Sequence, residues 1–261
     1  METSKLPLTK RALSLSIITG ALLICSPFAA LAEHPVHWGY GGSENPTQWG
    51  QLSKDFALCE LGKSQSPINI TNASVVAGIP SKIKFNYLPS NLEIVNNGHT
   101  IQVNYDKGSS VVIDNEKYEL VQFHFHTPSE HNINGKAYAM ELHLVHRSLS
   151  SGKLAVVGVM IKNGESNPLI ASIWENIPPT QTTKRVRDRQ INAAELLPEK
   201  KSYYSYNGSL TTPPCSEGVS WNVLTEPVTF SESQIDEFQK IYQVDARPIQ
   251  PNNSRSVQLH P

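Results

Sequence analysis

The sequence predicts a β-dominated single domain with a few short helices, and three observations predict it. Between Ile83 and Ile161 one segment after another alternates apolar and polar residues, the period of half-buried strands. Turn residues separate these segments, most clearly at Asn96-Asn97-Gly98, where Asn-Gly suits a tight reversal between paired strands. Helical signals are few and short, and no internal repeat or low-complexity segment interrupts the pattern.

Residues 1–32 stand apart from this domain. Lys5, Lys10 and Arg11 form a basic start, an apolar stretch runs from Ala12 to about Leu31, and Ala30-Leu31-Ala32 offers a small-x-small cleavage site. These features read as a signal peptide cut after Ala32, with the periplasm as the expected destination. An uncleaved membrane anchor is the alternative; Pro27 and the small-residue exit suit cleavage better. A lipoprotein reading through Cys25 meets Ile24 where a small residue belongs.

The single domain expected over residues 33–261 has 229 residues, enough for one sizeable core. Its strand-like runs are Ile83 to Tyr87, Leu92 to Val95, Thr100 to Tyr105, Val111 to Ile113, Tyr118 to His126, Tyr138 to His146 and Leu154 to Ile161. The last is continuously apolar and reads as a strand buried on both faces. Asn167-Pro168 opens a short helix, and Ser231-Glu232-Ser233-Gln234 forms a capping box before a helical stripe of Ile235, Phe238, Ile241 and Tyr242. Both ends of the domain, rich in Pro, Gly and Asn, read as long loops.

Charge and cysteines narrow the function. Without the leader, 19 basic residues face 22 acidic ones, a formal charge of −3. No basic stripe or tail is apparent, which argues against nucleic acid and acidic membrane surfaces as partners. No other apolar run approaches the roughly 20 residues that span a bilayer. Cys59 and Cys215 are the two cysteines left, an even pair that reads as one disulfide in an exported chain, two buried thiols being the alternative.

Chemistry concentrates between Gln122 and His143. On a strand His124 and His126 project to one face while Phe123 and Phe125 project to the other. His143 sits in the next alternating run, beyond a turn containing Asn132, Asn134 and Gly135, so the two runs can pair and three imidazoles can converge. Three neutral nitrogen ligands with an open fourth position make a catalytic zinc site. Gln122 and Glu141 each lie two residues before a ligand and share its face, where they can accept its second ring N–H. Taken alone, a pair of strand histidines more often sits on a partly exposed face or in a satisfied core than in a metal site, and the alternative for Glu141 is a simple ion pair on a solvated strand face.

The chain resembles the α-class carbonic anhydrases of exported bacterial type. The resemblance runs through His37-Trp38-Gly39-Tyr40, Gln65 to Ile70, Asn96-Asn97-Gly98-His99, Gln122 to His131, Glu141 to Val145, Gly208 to Cys215 and Arg247-Pro248. It implies a large central twisted, mostly antiparallel sheet with a few short peripheral helices. It also implies one Zn²⁺ on His124, His126 and His143; carbonic anhydrase is itself the standing example of a three-histidine zinc site. The activity implied is reversible hydration of CO₂ by zinc-bound hydroxide, giving bicarbonate and a proton. Thr211 matches the residue that orients the hydroxide and Glu130 the carboxylate that takes the threonine's proton; Thr212 joins Thr211 at the substrate. His99 matches the proton shuttle, on an exposed, mobile side chain, and its ordinary pKa near 6.5 suits the task. Tyr40, Asn97 and Gln102 match or replace the residues that order the connecting waters, Gln102 standing where relatives often have Asn. Val121, Val156, Leu210, Val219 and Trp221 match the apolar wall that holds CO₂. His131, His146 and Tyr206 match buried hydrogen-bonding positions.

The resemblance further implies a Cys59–Cys215 bridge bracing the Thr211 loop, and inhibition by sulfonamides and small anions. It allows a homodimer, since dimers occur among bacterial relatives. Two other functions fit the same residues: a non-catalytic binding protein on this fold, disfavoured because every ligand is present, and a zinc esterase or other hydrolase.

Overall fold

Alternation in the centre of the chain becomes strands, and the computed structural model shows how they assemble over residues 1–2, 36–72, 74–78, 81–179 and 181–261. The basic and apolar stretches of the leader and its cleavage point lie outside the described residues. Fifteen strands form among the described ones: β1 Asn69–Ile70, β2 Val75–Ala77, β3 Lys84–Asn86, β4 Ser90–Asn96, β5 Ile101–Asn104, β6 Ser110–Ile113, β7 Glu116–His126, β8 Asn132–Ile133, β9 Met140–Ser148, β10 Leu154–Asn163, β11 Thr183–Ile191, β12 Tyr203–Ser209, β13 Glu217–Leu224, β14 Val228–Phe230 and β15 Val257–His260. Thirteen belong to one sheet, whose main path is β11-β4-β5-β7-β9-β10-β13-β12-β15-β2. Its centre, β4 to β10, is antiparallel as expected, whereas β10–β13, β10–β14 and β15–β2 are parallel.

Short helices sit at the margins: α1 Trp49–Leu52, α2 Leu58–Leu61, α3 Pro168–Trp174 and α4 Glu232–Ile241. The two expected helices begin where their caps dictate. Asn167 accepts from the N–H groups of Leu169 and Ile170, and Ser231 and Gln234 complete a reciprocal capping box. Each such cap stabilises its helix by about 1 kcal/mol.

The structure corrects the loop reading of the ends. Residues 42–61 hold α1, α2 and two turns of 3₁₀ helix, pinned by the Cys59–Cys215 disulfide, and the last residues form β15. Sequence periodicity also passed over β11 to β14. Strand β11 is an exposed edge carrying Lys184, Arg185, Arg187 and Arg189, a basic run the sequence reading did not register. Such cations blunt an open sheet edge against pairing with another chain.

The sheet buries apolar residues on both faces. On one face Leu92, Ile101, Phe123, Phe125, Leu142 and Val157 pack with α3 and α4 in the larger core. On the other, Val156, Met160, Tyr206, Val219 and Trp221 form a second cluster. Strand β10 contributes to both, as its unbroken apolar run requires. Each fully buried Val or Ile stabilises by about 1.5–3 kcal/mol.

One irregularity in β7 aims the site. Leu120 pairs with His146 and Gln122 with Val145, so Val121 is an extra residue in the ladder. This bulge moves the pleat by one position. Tyr118 and Leu120 therefore face the larger core together with Phe123 and Phe125, and His124 and His126 leave by the opposite face.

Candidate active site

Strands β7 and β9 place His124 directly opposite His143, and His126 opposite Glu141. The three rings lie 5.0, 5.2 and 4.6 Å apart between centroids, and one nitrogen from each falls within 4.8 Å of the others. Each ring has its other nitrogen engaged by an acceptor. His124 Nδ1–H donates to Gln122 Oε1 at 2.9 Å, His126 Nδ1–H to the Asp245 carbonyl at 2.7 Å, and His143 Nε2–H to Glu141 Oε1 at 2.9 Å. In neutral imidazoles this leaves lone pairs on His124 Nε2, His126 Nε2 and His143 Nδ1. His126 Nε2 is fully buried with no hydrogen-bond partner among the described residues. A buried nitrogen without a partner is costly in an empty fold and natural in a metal site.

The electrostatics divide the rings. Burial, and then His126 and His143, hold His124 well below the usual imidazole range, while burial lowers His143 and Glu141 partly offsets it. Burial also acts against protonated His126, but Glu130 and Asp245 outweigh it and raise its pKa. Glu130 is buried, with Oε2 at 3.7 Å from His126 Nε2 and 3.9 Å from His143 Nδ1. Its Oε1 accepts the Arg247 main-chain N–H at 2.9 Å. Three neutral nitrogens and a nearby buried carboxylate fit a divalent zinc ion.

Similarity to known proteins agrees with this geometry. The profile of the eukaryotic-type carbonic anhydrase family matches residues 44–260. The chain belongs to the α-carbonic anhydrases. A carbonic anhydrase of Nostoc sp. is 45% identical over 249 residues, covering 94% of each chain. A hyperthermostable carbonic anhydrase from an active hydrothermal vent chimney has a similar structure, with TM-score 0.83 and 47% identity over 86% of this chain and 100% of that one. The α-carbonic anhydrase of Thermovibrio ammonificans, in complex with the inhibitor sulfanilamide, has TM-score 0.83 and 43% identity over the same shares.

Compared with the positions expected for an α-carbonic anhydrase, most residues gather and some do not. Val156, Val219 and Trp221 pack in one cluster with Leu210 against it, and Trp221 Nε1–H donates to the Ser209 carbonyl at 2.9 Å. Val121 stands outside that cluster, 46% exposed at the bulge. Thr211 is buried, and the Thr212 carbonyl accepts the Cys215 N–H, closing the loop beside the disulfide. Glu130 Oε2 has no hydrogen-bond partner among the described residues, so a Thr211–Glu130 hydrogen bond is not formed here. His99 is half-buried and stacked on Trp38 with centroids 3.7 Å apart, not exposed and free as expected, because the indole offers it a flat apolar face. Burial, then His37, lowers its pKa. Asn97 spends its side-chain oxygen on the N–H groups of His99 and Thr100, shaping the turn. Gln102 donates to Asn104 Oδ1 at 2.7 Å. Burial, and then Glu130, hold the Tyr40 phenol well above its usual range, so it stays a donor.

Glu141 serves more than His143. Its Oε1 also accepts His131 Nδ1–H at 2.8 Å, and Oε2 accepts the His131 main-chain N–H at 2.8 Å. His131 Nε2 then accepts the Tyr206 hydroxyl at 2.6 Å, and Tyr206 meets Ser66 at 2.8 Å. The Ser66 N–H donates to Ser209 Oγ, at the root of the Thr211 loop. Gly158, opposite His143, makes room for this carboxylate, since a Cβ there would lie 3.1 Å from Glu141 Oε1. The sequence carried no sign of Asp245 as partner of His126, because the acceptor is a main-chain carbonyl 119 residues away.

Proposed function

We propose that the chain catalyses the reversible hydration of CO₂ to bicarbonate and a proton, with one zinc ion held by His124, His126 and His143. The observation that carries this reading is the set of ring tautomers, fixed by Gln122, Asp245 and Glu141, which leaves three lone pairs facing one point. Zinc in such a set activates water as a nucleophile near neutral pH, carbonic anhydrase being the type case of that effect.

The chain's own residues supply the rest. The apolar wall of Val156, Leu210, Val219 and Trp221, with Val121 at its margin, holds uncharged CO₂ and excludes water from it. For the reaction the Thr211 hydroxyl must turn to Glu130 Oε2, a hydrogen bond absent from the structure although the Arg247 N–H already holds the other carboxylate oxygen, and Thr211 then itself accepts from the reacting water. Thr211 and Thr212 contact the product anion. His99 takes up the released proton and passes it to buffer, past Tyr40, Asn97 and Gln102. The same centre would bind sulfonamides and small anions, as supported by the sulfanilamide complex of the Thermovibrio enzyme. A leader over residues 1–32, cut after Ala32, and delivery of residues 33–261 to the periplasm are consistent with the disulfide.

Stopped-flow CO₂ hydration of oxidised protein, with zinc measured on the same sample, tests the proposal. It expects about one zinc per chain, fast hydration, and loss of both on chelation or in His143→Ala. Hydration no faster than buffer in zinc-loaded protein would refute it. Weaker efficiency on CO₂ than on an activated ester would favour a hydrolase.

A further inference from the structure

Beside the site runs a chain of polar side chains whose direction is set by one charge. Strand register lines up Arg185, Glu93, Asn104 and Gln122 in one row across β11, β4, β5 and β7. The adjacent row holds Val95, Gln102, His124 and His143. Directly opposed residues share a face of the sheet, so Gln102 leaves it on the side of His124.

Arg185 Nε donates to Glu93 Oε2 at 2.9 Å. Asn104, and then Arg185, lower the Glu93 pKa, so it is a carboxylate that can only accept. Asn104 therefore turns its amide nitrogen to Glu93 Oε1, at 2.8 Å, and its oxygen to Gln102. Gln102 answers with Nε2 at 2.7 Å. An amide has one oxygen and one nitrogen, so the Gln102 oxygen is left for the site side, and no described residue donates to it. Reverse the charge at position 93 and the Asn104 and Gln102 amides must turn over together.

We propose that Glu93, held by Arg185, is a positioning residue for proton release: acting through Asn104, it fixes Gln102 with its carbonyl oxygen toward the site. The wall beside His124 then offers ordered water an acceptor. A water that donates one O–H to Gln102 keeps its lone pairs for the proton arriving from the reacting water. Its other O–H points onward to the next water, and the last water in line protonates a ring nitrogen of His99. This rests on the proposed hydration reaction with His99 as proton acceptor.

The test exchanges the charges, Glu93→Lys with Arg185→Glu, which keeps the ion pair but reverses the row. Turnover in weak buffer should fall by about tenfold, the effect of reversing one hydrogen bond worth about 1.4 kcal/mol. The ratio kcat/KM should be retained, and added imidazole should restore turnover. The Gln102 side-chain amide protons, assigned in NMR spectra by their loss in Gln102→Glu, should exchange with solvent faster in the double variant. A merely structural row would lower stability and leave both readouts unchanged. Unchanged weak-buffer turnover with unchanged amide exchange overturns the proposal, as does an equal fall in kcat/KM. If the double variant does not fold, Glu93→Gln frees the row without reversing it and should show a smaller fall in the same quantity; parental turnover there overturns the proposal. Absence of any buffer-dependent turnover in the parent protein would instead refute the proton-exit reading beneath it.

Discussion

Replacing Glu141 by Gln changes almost no volume and attacks one property, acceptor-only chemistry. Three donors converge on this carboxylate: His143 Nε2–H and His131 Nδ1–H on Oε1, and the His131 main-chain N–H on Oε2. Burial alone would raise its pKa, yet His131 and His143 outweigh it and hold Glu141 ionised. Glutamine keeps one oxygen. Its better placement leaves that oxygen with the two ring N–H groups and turns the NH₂ against the His131 main-chain N–H. One buried donor is then unpaired, costing about 1–3 kcal/mol, and two charge-assisted bonds become neutral, losing about 1 kcal/mol each. The expected destabilisation is about 3–5 kcal/mol, read from urea unfolding of oxidised, metal-free protein. Zinc affinity, read by competition with a chromophoric chelator, should fall about 10–100-fold because His143 loses its anionic partner. A variant with parental stability and parental zinc affinity would refute the account of Glu141 as the hub of the buried network.

Other outcomes can be checked independently. Burial pulls His146 down to about 4, below its unfolded value near 6.5, so the unfolded state binds the extra proton. Its contribution is complete above pH 6.5 and is lost as the pH falls toward 4, about 3 kcal/mol in all; His146→Gln should flatten that part of the stability–pH curve. Cys59 and Cys215 are 156 residues apart, so Cys59→Ser with Cys215→Ser should destabilise by up to about 5 kcal/mol, measured by calorimetry of both forms. Trp38→Ala removes the ring that covers His99, whose pKa should rise toward its ordinary value in an NMR titration. His99→Ala should retain zinc and slow turnover in weak buffer, with recovery on adding imidazole.

Much of the site was legible because it lies on adjacent strands of regular period. His124, His126 and His143 could be placed on one face from spacing and a turn, and Gln122 and Glu141 from sharing that face. What escaped was set by distant backbone or by choice among partners. The Asp245 carbonyl has no side-chain signature, and the stacking of His99 on Trp38 depends on a segment 61 residues earlier, folding back over the turn. Strand β11 was missed because an edge strand studded with Lys and Arg lacks the apolar alternation by which strands are recognised. Strand β12 was missed because Tyr203 and Tyr204 stand side by side and the run ends in Asn207, Gly208 and Ser209, so no clean apolar alternation runs through it.

The extra residue at Val121 gives β7 a seam. Up to Leu120 the even-numbered side chains build the interior; past it they build the chemistry. Deleting Val121 would leave Leu120 and Phe123 two apart, so the two halves would keep their faces and the strand would lose only its bend. Inserting one residue between Phe123 and His124, where the ladder is regular, would instead turn the imidazoles toward the larger core or the phenylalanines out of it. The bulge is therefore where β7 can absorb a change of one residue, and the same change past Phe123 should be tolerated far worse.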